Sequence, residues 1–179
     1  MKALAPAKVN LLLRVGPGRP DGYHELASLI VALDVGDGIE LEPAVSTSVE
    51  APALGGGDTL VTRALDLLVE RSGHAGGFAV RLEKRLPVGA GLGGGSADAG
   101  VALRLANGLL SAPLDAASLM ALAAEVGSDV PFFAAGFVAA EMRGRGELLR
   151  SVQLHARPVL ALAWPGELVS TADVYAGYV

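Results

Sequence analysis

Apolar and polar residues alternate along several stretches of this chain, and the period of the alternation separates strands from helices. Apolar Phe78, Val80 and Leu82 alternate with charged residues between 77 and 85, which predicts a strand with one buried face. Apolar residues recur every three or four positions over 60–71, which predicts an amphipathic helix. The other predicted elements are strands at 7–15, 26–33, 38–42, 132–141, 147–154 and 159–164, and helices at 97–110, 115–126 and from Ser170. This order of elements predicts an α+β fold with a mixed sheet.

Composition narrows the class of protein. The 179 residues are 51% hydrophobic, which supplies a buried core and argues against disorder. The net charge of −5, with lysine and arginine scattered, argues against a nucleic-acid partner. Lys8 and Asn10 interrupt the apolar N-terminus, so it does not resemble a signal peptide, and the longest apolar run, 132–140, is too short to span a membrane. With no cysteine in the chain, these observations predict a cytoplasmic protein without a membrane partner.

A glycine-rich segment, LPVGAGLGGGS at 86–96, joins a predicted strand directly to a predicted helix. Glycine runs often form flexible connectors. Here, however, Ser96 stands at the predicted helix start, where free N–H groups and the helix dipole favour phosphate binding. Gly95 replaces the lysine of a Walker loop, and a helix follows where a dinucleotide-binding unit needs a strand. We therefore favour a phosphate-binding loop of another type.

Three polar residues elsewhere are candidates for chemistry, although two of them have ordinary structural explanations. Lys8 interrupts an apolar strand, where a lysine commonly protects a sheet edge. Asn10 lies on the same strand face, so we expect it to hydrogen-bond to Lys8 or to a substrate. Asp129 follows a predicted helix, where aspartate commonly forms a turn or a cap. The residues alone leave both alternatives open.

Five motifs in order make the chain resemble a known family. LPVGAGLGGGSADAG at 86–100 resembles the phosphate loop of the GHMP kinases, the superfamily of galactokinase, homoserine kinase, mevalonate kinase and phosphomevalonate kinase. Four further segments resemble one family within it, the 4-diphosphocytidyl-2-C-methyl-D-erythritol kinases. They are APAKVNLLLRV at 5–15, RPDGYHEL at 19–26, GSDVPFF at 127–133 and RGRGE at 143–147.

The resemblance implies a fold and an activity. The fold is that of the GHMP kinase N-terminal domain, a mixed sheet with helices packed on one side and a left-handed β-α-β crossing. The activity is ATP-dependent phosphorylation of the 2-hydroxyl of 4-diphosphocytidyl-2-C-methyl-D-erythritol in non-mevalonate isoprenoid biosynthesis, with Mg²⁺ accompanying the ATP. Two alternatives stay open: another GHMP kinase, acting on homoserine or mevalonate, and an inactive nucleotide-binding remnant.

The resemblance also assigns roles to residues. Lys8 and Asp129 match the family's active-site lysine and catalytic base. The proposed substrate pocket consists of Asn10, Tyr23, His24, Thr171 and Tyr175, with Tyr23, His24 and Tyr175 around the cytosine ring. Ser96 is expected to contact a phosphate oxygen or Mg²⁺. The expected ATP-binding residues are Pro87, Val88, Gly89, Ala90, Gly91, Leu92, Gly93, Gly94, Gly95, Ser96 and Ala97.

The resemblance sets the expected domain boundary as well. We expect residues 1–155 to form the ATP-binding domain and residues 156–179 to begin a C-terminal domain that is truncated here. Nothing in the 179 residues matches the second glycine-rich motif of that domain, so the activity of this chain by itself is in question. The sequence makes no prediction about the oligomeric state.

Overall fold

The computed structural model describes residues 1–18, 24–55, 59–144, 146, 148–156, 158–166 and 174. The strands are β1 Lys2–Gly18, β2 His24–Ala44, β3 Ser48–Glu50, β4 Gly77–Glu83, β5 Ala139–Gly144 and β6 Leu148–Ser151. The helices are α1 Thr59–Ser72, α2 Gly94–Asn107, α3 Ala116–Val126 and α4 Val130–Ala134, with a 3₁₀ turn at Pro52–Leu54.

Strand β2 is the centre of the sheet, and it pairs with β1 in a long antiparallel hairpin. The first part of β2, 26–31, pairs with β5 and the last part, 38–44, pairs with β4, both antiparallel. Strand β1 pairs with both parts of β2 along one edge. Strands β4 and β5 therefore lie one after the other along the other edge of β2. The sheet is mixed since β3 runs parallel to β4, with α1 between them in the chain. The left-handed crossing stays a prediction for this unit.

The helices cover one face of the sheet, as predicted. Alternate residues of the strands face a core formed with all four helices, among them Ile30, Ile39, Leu41, Phe78, Val80, Leu82 and Met142. The intervening residues form ion pairs on the other face, such as Arg85 with Glu83 and Arg150 with Glu141. The predicted alternation is confirmed over β4, which ends at Glu83, two residues before the predicted end. No helix in the described ranges has the length and hydrophobicity that crossing a membrane requires.

The strand predicted over 132–141 is wrong in its first half. Helix α4 occupies Val130–Ala134, and β5 begins only at Ala139. Pro131 lies in the first turn of α4, where its fixed φ suits a helix and its missing N–H costs nothing. Every residue of α4 is buried, so the segment has no polar face that would give it a helical period.

Several other boundaries also differ from the prediction. The strands predicted at 26–33 and 38–42 are one strand, β2, in which Gly36 allows close approach: a Cβ there would overlap the carbonyl oxygen of Ala5. Strand β3 was not predicted, and α2 begins at Gly94 instead of residue 97. The described residues 158–166 contain no strand, so the one predicted at 159–164 is wrong. The start predicted for a last helix, Ser170, lies outside the described residues.

Candidate functional site

The glycine loop, residues 87–93, connects β4 to α2 and depends on left-handed backbone. Gly89, Gly91 and Gly93 have φ of 73°, 73° and 71°, a region that other residues rarely adopt. Gly93 is the N-cap of α2, and Ser96 lies in the first turn of the helix. The first-turn N–H groups, those of residues 94–96, have no acceptor within an α-helix. They are the free amides that the phosphate-loop prediction requires.

Lys8 lies directly against this loop. Its backbone N–H donates to the carbonyl oxygen of Leu92 at 2.9 Å, which attaches the loop to β1. A Cβ added to Gly93 would lie 2.9 Å from Cγ of Lys8 and 3.3 Å from its Cε. Glycine at position 93 is therefore required twice, by its φ and by the passage of the lysine side chain.

The side chain of Lys8 is not a solvated edge lysine. It is only 14% exposed, its Nζ lies 3.7 Å from Oδ2 of Asp129, and it donates a hydrogen bond of 3.0 Å to Oδ1 of Asn10. The expected contact between Lys8 and Asn10 is thus present, and Asp129 is the nearby acidic partner. These three residues come from distant parts of the sequence and meet beside the glycine loop.

Asp129 stands at the N-cap position of α4, yet it makes no capping bond. Its side chain accepts no hydrogen bond from the helix, and it is 29% exposed. A simple capping role, the ordinary explanation for this aspartate, is therefore wrong. The carboxylate instead faces Lys8 and remains accessible from solvent, an arrangement that suits a group that exchanges protons.

A buried serine that sequence reasoning missed fixes the orientation of Asn10. Ser28 on β2 is 3% exposed, and its hydroxyl donates to the carbonyl oxygen of Leu12 at 2.8 Å. It accepts a hydrogen bond of 2.7 Å from Nδ2 of Asn10, so Oδ1 of the amide faces Lys8. The sequence did contain a signal for this contact: Asn10 and Ser28 are polar residues on paired strands, and one of them stands in an apolar run.

Close packing of α4 on α2 determines where Asp129 lies relative to the loop. At Gly100 of α2, an added Cβ would meet Phe133 Cβ at 2.6 Å, the Val130 carbonyl oxygen at 2.7 Å and Ala134 N at 2.9 Å. Such distances leave no room for a side chain. The ring of Phe133 extends from there to within 3.4 Å of a Cβ built on Gly93.

A second charged group, which the sequence did not suggest, lies buried beneath the loop. Lys84 donates hydrogen bonds of 2.5 Å to both Asp37 and Asp98, and the three side chains are 7%, 0% and 0% exposed. Burial by itself lowers the pKa of Lys84, but its hydrogen bonds to the two carboxylates outweigh burial and raise that pKa above the ordinary lysine value. Lys84 is therefore a cation at neutral pH.

The proposed cytosine pocket is only partly within the described residues. His24 is half-buried, and its Nδ1 lies 3.0 Å from the carbonyl oxygen of Gly16. Because a carbonyl oxygen only accepts, Nδ1 is the donor in this contact. Tyr23, Thr171 and Tyr175 lie outside the described residues.

The part of the chain that the structure describes offers few side-chain ligands for a metal ion. No three His, Cys, Asp or Glu side chains there are grouped to hold an ion. The oxygen donors near the loop are the Ser96 hydroxyl, in the first turn of α2, and the half-buried carboxylate of Asp129. Such hard oxygen donors suit Mg²⁺, which commonly takes few protein ligands and binds mainly through substrate phosphates.

Comparison with known proteins adds a family to this geometry. Residues 59–137 match the GHMP kinases N terminal domain. The chain is 45% identical to the 4-diphosphocytidyl-2-C-methyl-D-erythritol kinase of Anaeromyxobacter sp. (strain K), covering 96% of this chain and 57% of that protein. It is 45% identical to a Thermus thermophilus protein of the same name, covering 98% of this chain and 62% of the relative.

Solved structures agree with this similarity. A crystal structure of 4-(cytidine 5'-diphospho)-2C-methyl-D-erythritol kinase matches with a TM-score of 0.78 and 43% identity, covering 98% of this chain and 63% of that one. Homoserine kinase from Cytophaga hutchinsonii matches with a TM-score of 0.61 at 20% identity, which shows a shared fold only. This chain thus spans 57% to 63% of the length of the two relatives named above and of the 4-(cytidine 5'-diphospho)-2C-methyl-D-erythritol kinase of known structure.

Proposed function

We propose that this chain, whose residues 59–137 match the GHMP kinases N terminal domain, binds ATP on the glycine loop and takes part in phosphorylating a small-molecule alcohol. One observation carries the proposal: the free amides at the start of α2, Lys8 and Asp129 meet at one place. The first-turn amides and the dipole of α2 would hold the phosphate oxygens. The left-handed glycines allow a phosphate to approach the backbone without meeting a side chain.

Asp129 and Lys8 would act on the acceptor hydroxyl. Asp129 would accept its proton as the oxygen forms a bond to the γ-phosphorus and the bond from that phosphorus to the bridging oxygen of ADP breaks. Lys8, held near Asp129 by Asn10, would stabilise the negative charge on the transferred group. Mg²⁺ on Ser96 and the nucleotide phosphates would supply further charge neutralisation.

The acceptor that the relatives' names support is 4-diphosphocytidyl-2-C-methyl-D-erythritol, phosphorylated on its 2-hydroxyl. His24 would contribute Nε2 as an acceptor for the cytosine amino group, since Nδ1 faces Gly16. Tyr23 and Tyr175 are proposed to stack on the ring and Thr171 to line the pocket. Stacking of this kind contributes about 1–3 kcal/mol per base at other sites. We also propose that residues 1–155 form the ATP-binding domain and that 156–179 begin the next.

The test is to measure ATP binding and phosphoryl transfer separately in the purified chain and its Asp129→Asn variant. Calorimetry with Mg²⁺ and a non-hydrolysable ATP analogue reports binding, and ADP release in the presence of the cytidyl substrate reports turnover. We expect Asp129→Asn to retain analogue affinity and lose at least about 100-fold in turnover, the range of general-base catalysis. The exposed N-cap variant Asp115→Asn is the matched control and should retain both.

Each outcome discriminates between functions. Turnover with homoserine or mevalonate, but not with the cytidyl substrate, would assign the chain to a different kinase of the superfamily. Binding of nucleotide or cytidyl substrate without turnover would make this chain a nucleotide-binding remnant. Normal turnover in Asp129→Asn would remove that residue from the reaction.

A further inference from the structure

The buried cluster of Asp37, Lys84 and Asp98 contributes nothing to the phosphoryl transfer described above, yet it lies at both ends of the glycine loop. Lys84 is the residue after the last residue of β4, Glu83, and Asp98 lies in the second turn of α2. Asp37, on β2, joins them through the shared Lys84 ammonium. The cluster therefore connects the strand before the loop, the helix after it and the central strand of the sheet.

Further contacts extend this connection to the backbone of the loop ends. Oδ1 of Asp37 accepts hydrogen bonds from the backbone N–H groups of Arg85 at 2.6 Å and Leu86 at 2.8 Å. Oδ2 of the same carboxylate lies 3.4 Å from a Cβ built on Gly94, the first residue of α2. One buried aspartate thus touches the chain where it enters the loop and where it leaves.

We propose that Lys84, with Asp37 and Asp98, is a positioning residue that sets the separation of the two loop ends and so pre-forms the nucleotide-binding amides. The proposal rests on the proposed function of the loop. With left-handed glycines at 89, 91 and 93, the loop has little conformational preference of its own. Fixing the two ends restricts the nucleotide-free loop to the conformation that binds nucleotide. This lowers the conformational entropy that is lost when the nucleotide binds.

The cluster has a charge balance that can be perturbed. One lysine is shared by two carboxylates, so removing its charge leaves two like charges buried close together. Burying such a pair without a counter-charge is costly. Asp37 also attracts the guanidinium of Arg85, which pairs with Glu83 on the exposed face.

The experiment compares Lys84→Met with the double variant Lys84→Met/Asp98→Asn, which restores the original charge balance. The affinity of the protein for a non-hydrolysable ATP analogue, added together with Mg²⁺, is measured by calorimetry at pH 8. The matched control is Lys2→Met, which removes an exposed lysine that pairs with Glu40.

We expect Lys84→Met to bind the analogue about tenfold more weakly at pH 8. This is the loss expected if the loop adopts its binding conformation only about a tenth of the time. The double variant should recover affinity, and Lys2→Met should match wild type. Wild-type affinity in folded Lys84→Met would overturn the proposal, as would a deficit that the double variant does not recover.

Amide hydrogen exchange of Leu86 gives a second readout that needs no nucleotide. Its N–H bonds to the buried Asp37, so exchange should be faster in Lys84→Met and slow again in the double variant. Unchanged protection in Lys84→Met would contradict the proposal even if the wild-type chain bound no nucleotide. Failure of wild type to bind the analogue would refute only the proposed function. If Lys84→Met does not fold but the double variant does, that result supports the role of the charge balance. If neither variant folds, the role of the charge balance is refuted.

Discussion

Gly100→Ala tests whether close packing of α2 and α4 positions Asp129. The added Cβ would meet Phe133 Cβ at 2.6 Å and the Val130 carbonyl oxygen at 2.7 Å, where ordinary contacts begin at 3.4 Å. Helix α4 must therefore move away from α2 by about 0.8 Å at the closest contact. Asp129 immediately precedes Val130, the first residue of α4, so the carboxylate moves with the helix while Lys8 stays attached to the loop at Leu92.

The size of the effect follows from two opposing contributions. Overpacking of this kind costs about 1–3 kcal/mol of folding free energy, and replacing glycine by alanine inside a helix recovers about 1 kcal/mol. The net loss of stability is then about 0–2 kcal/mol, small enough for the variant to fold. Misplacing a catalytic group by about 1 Å lowers turnover about 100-fold, so we expect kcat to fall about 10- to 100-fold.

Gly108→Ala is the matched control, because it adds the same methyl group at the end of the same helix. Gly108 has φ of −68°, and a Cβ there would make only ordinary contacts, the nearest at 3.5 Å. Thermal unfolding, nucleotide affinity and turnover are measured for both variants. We expect Gly108→Ala to resemble wild type, and Gly100→Ala to retain nucleotide affinity within about twofold while losing kcat. Equal stability and equal turnover in the two variants would refute the reasoning.

Two further predictions concern the glycine loop and the cap of α3. Gly93→Ala should weaken nucleotide binding more than Gly73→Ala, because both residues have left-handed φ but only a Cβ at 93 meets Lys8, at 2.9 Å; equal affinities would contradict this. The backbone hydrogen bond from Ser118 lowers the pKa of Asp115, so its stabilisation is present above the unfolded-state pKa and is lost as the pH falls through the lower folded-state pKa. The melting temperatures of wild type and Asp115→Ala should therefore differ at pH 7 and begin to converge as the pH falls below about 4, and a constant difference would exclude a charged cap.

Local patterning predicts much of this fold, because most elements have one buried and one exposed face. The alternation around Phe78, Val80 and Leu82 predicts β4 correctly, and the caps Asp115 and Gly127 bound α3 as expected. Patterning failed at α4, which is buried on every side and therefore has no polar stripe. The path of β2 was also hidden, because a glycine that permits close strand approach looks in sequence like one that ends a strand.

The candidate site shows a similar division. The sequence itself predicts a phosphate site at the glycine loop, whereas Lys8 and Asp129 were distinguished from an edge lysine and a capping aspartate only by resemblance. The structure argues against those two structural explanations, since a cap would bond to its own helix and an edge lysine would be solvated. Neither holds, because the two side chains lie 3.7 Å apart and the lysine is largely buried.

The buried cluster went unnoticed for a different reason. Sequence reasoning ranks a charged residue by the motif that it stands in, and Asp37, Lys84 and Asp98 stand in three different segments. Only the fold brings them to one nitrogen atom, and burial makes that meeting consequential, because an unpaired charge is costly there and a paired one is geometrically specific. A loop rich in glycine needs its order imposed from outside. The residues that impose it are accordingly sought at its ends, among charged side chains that are buried.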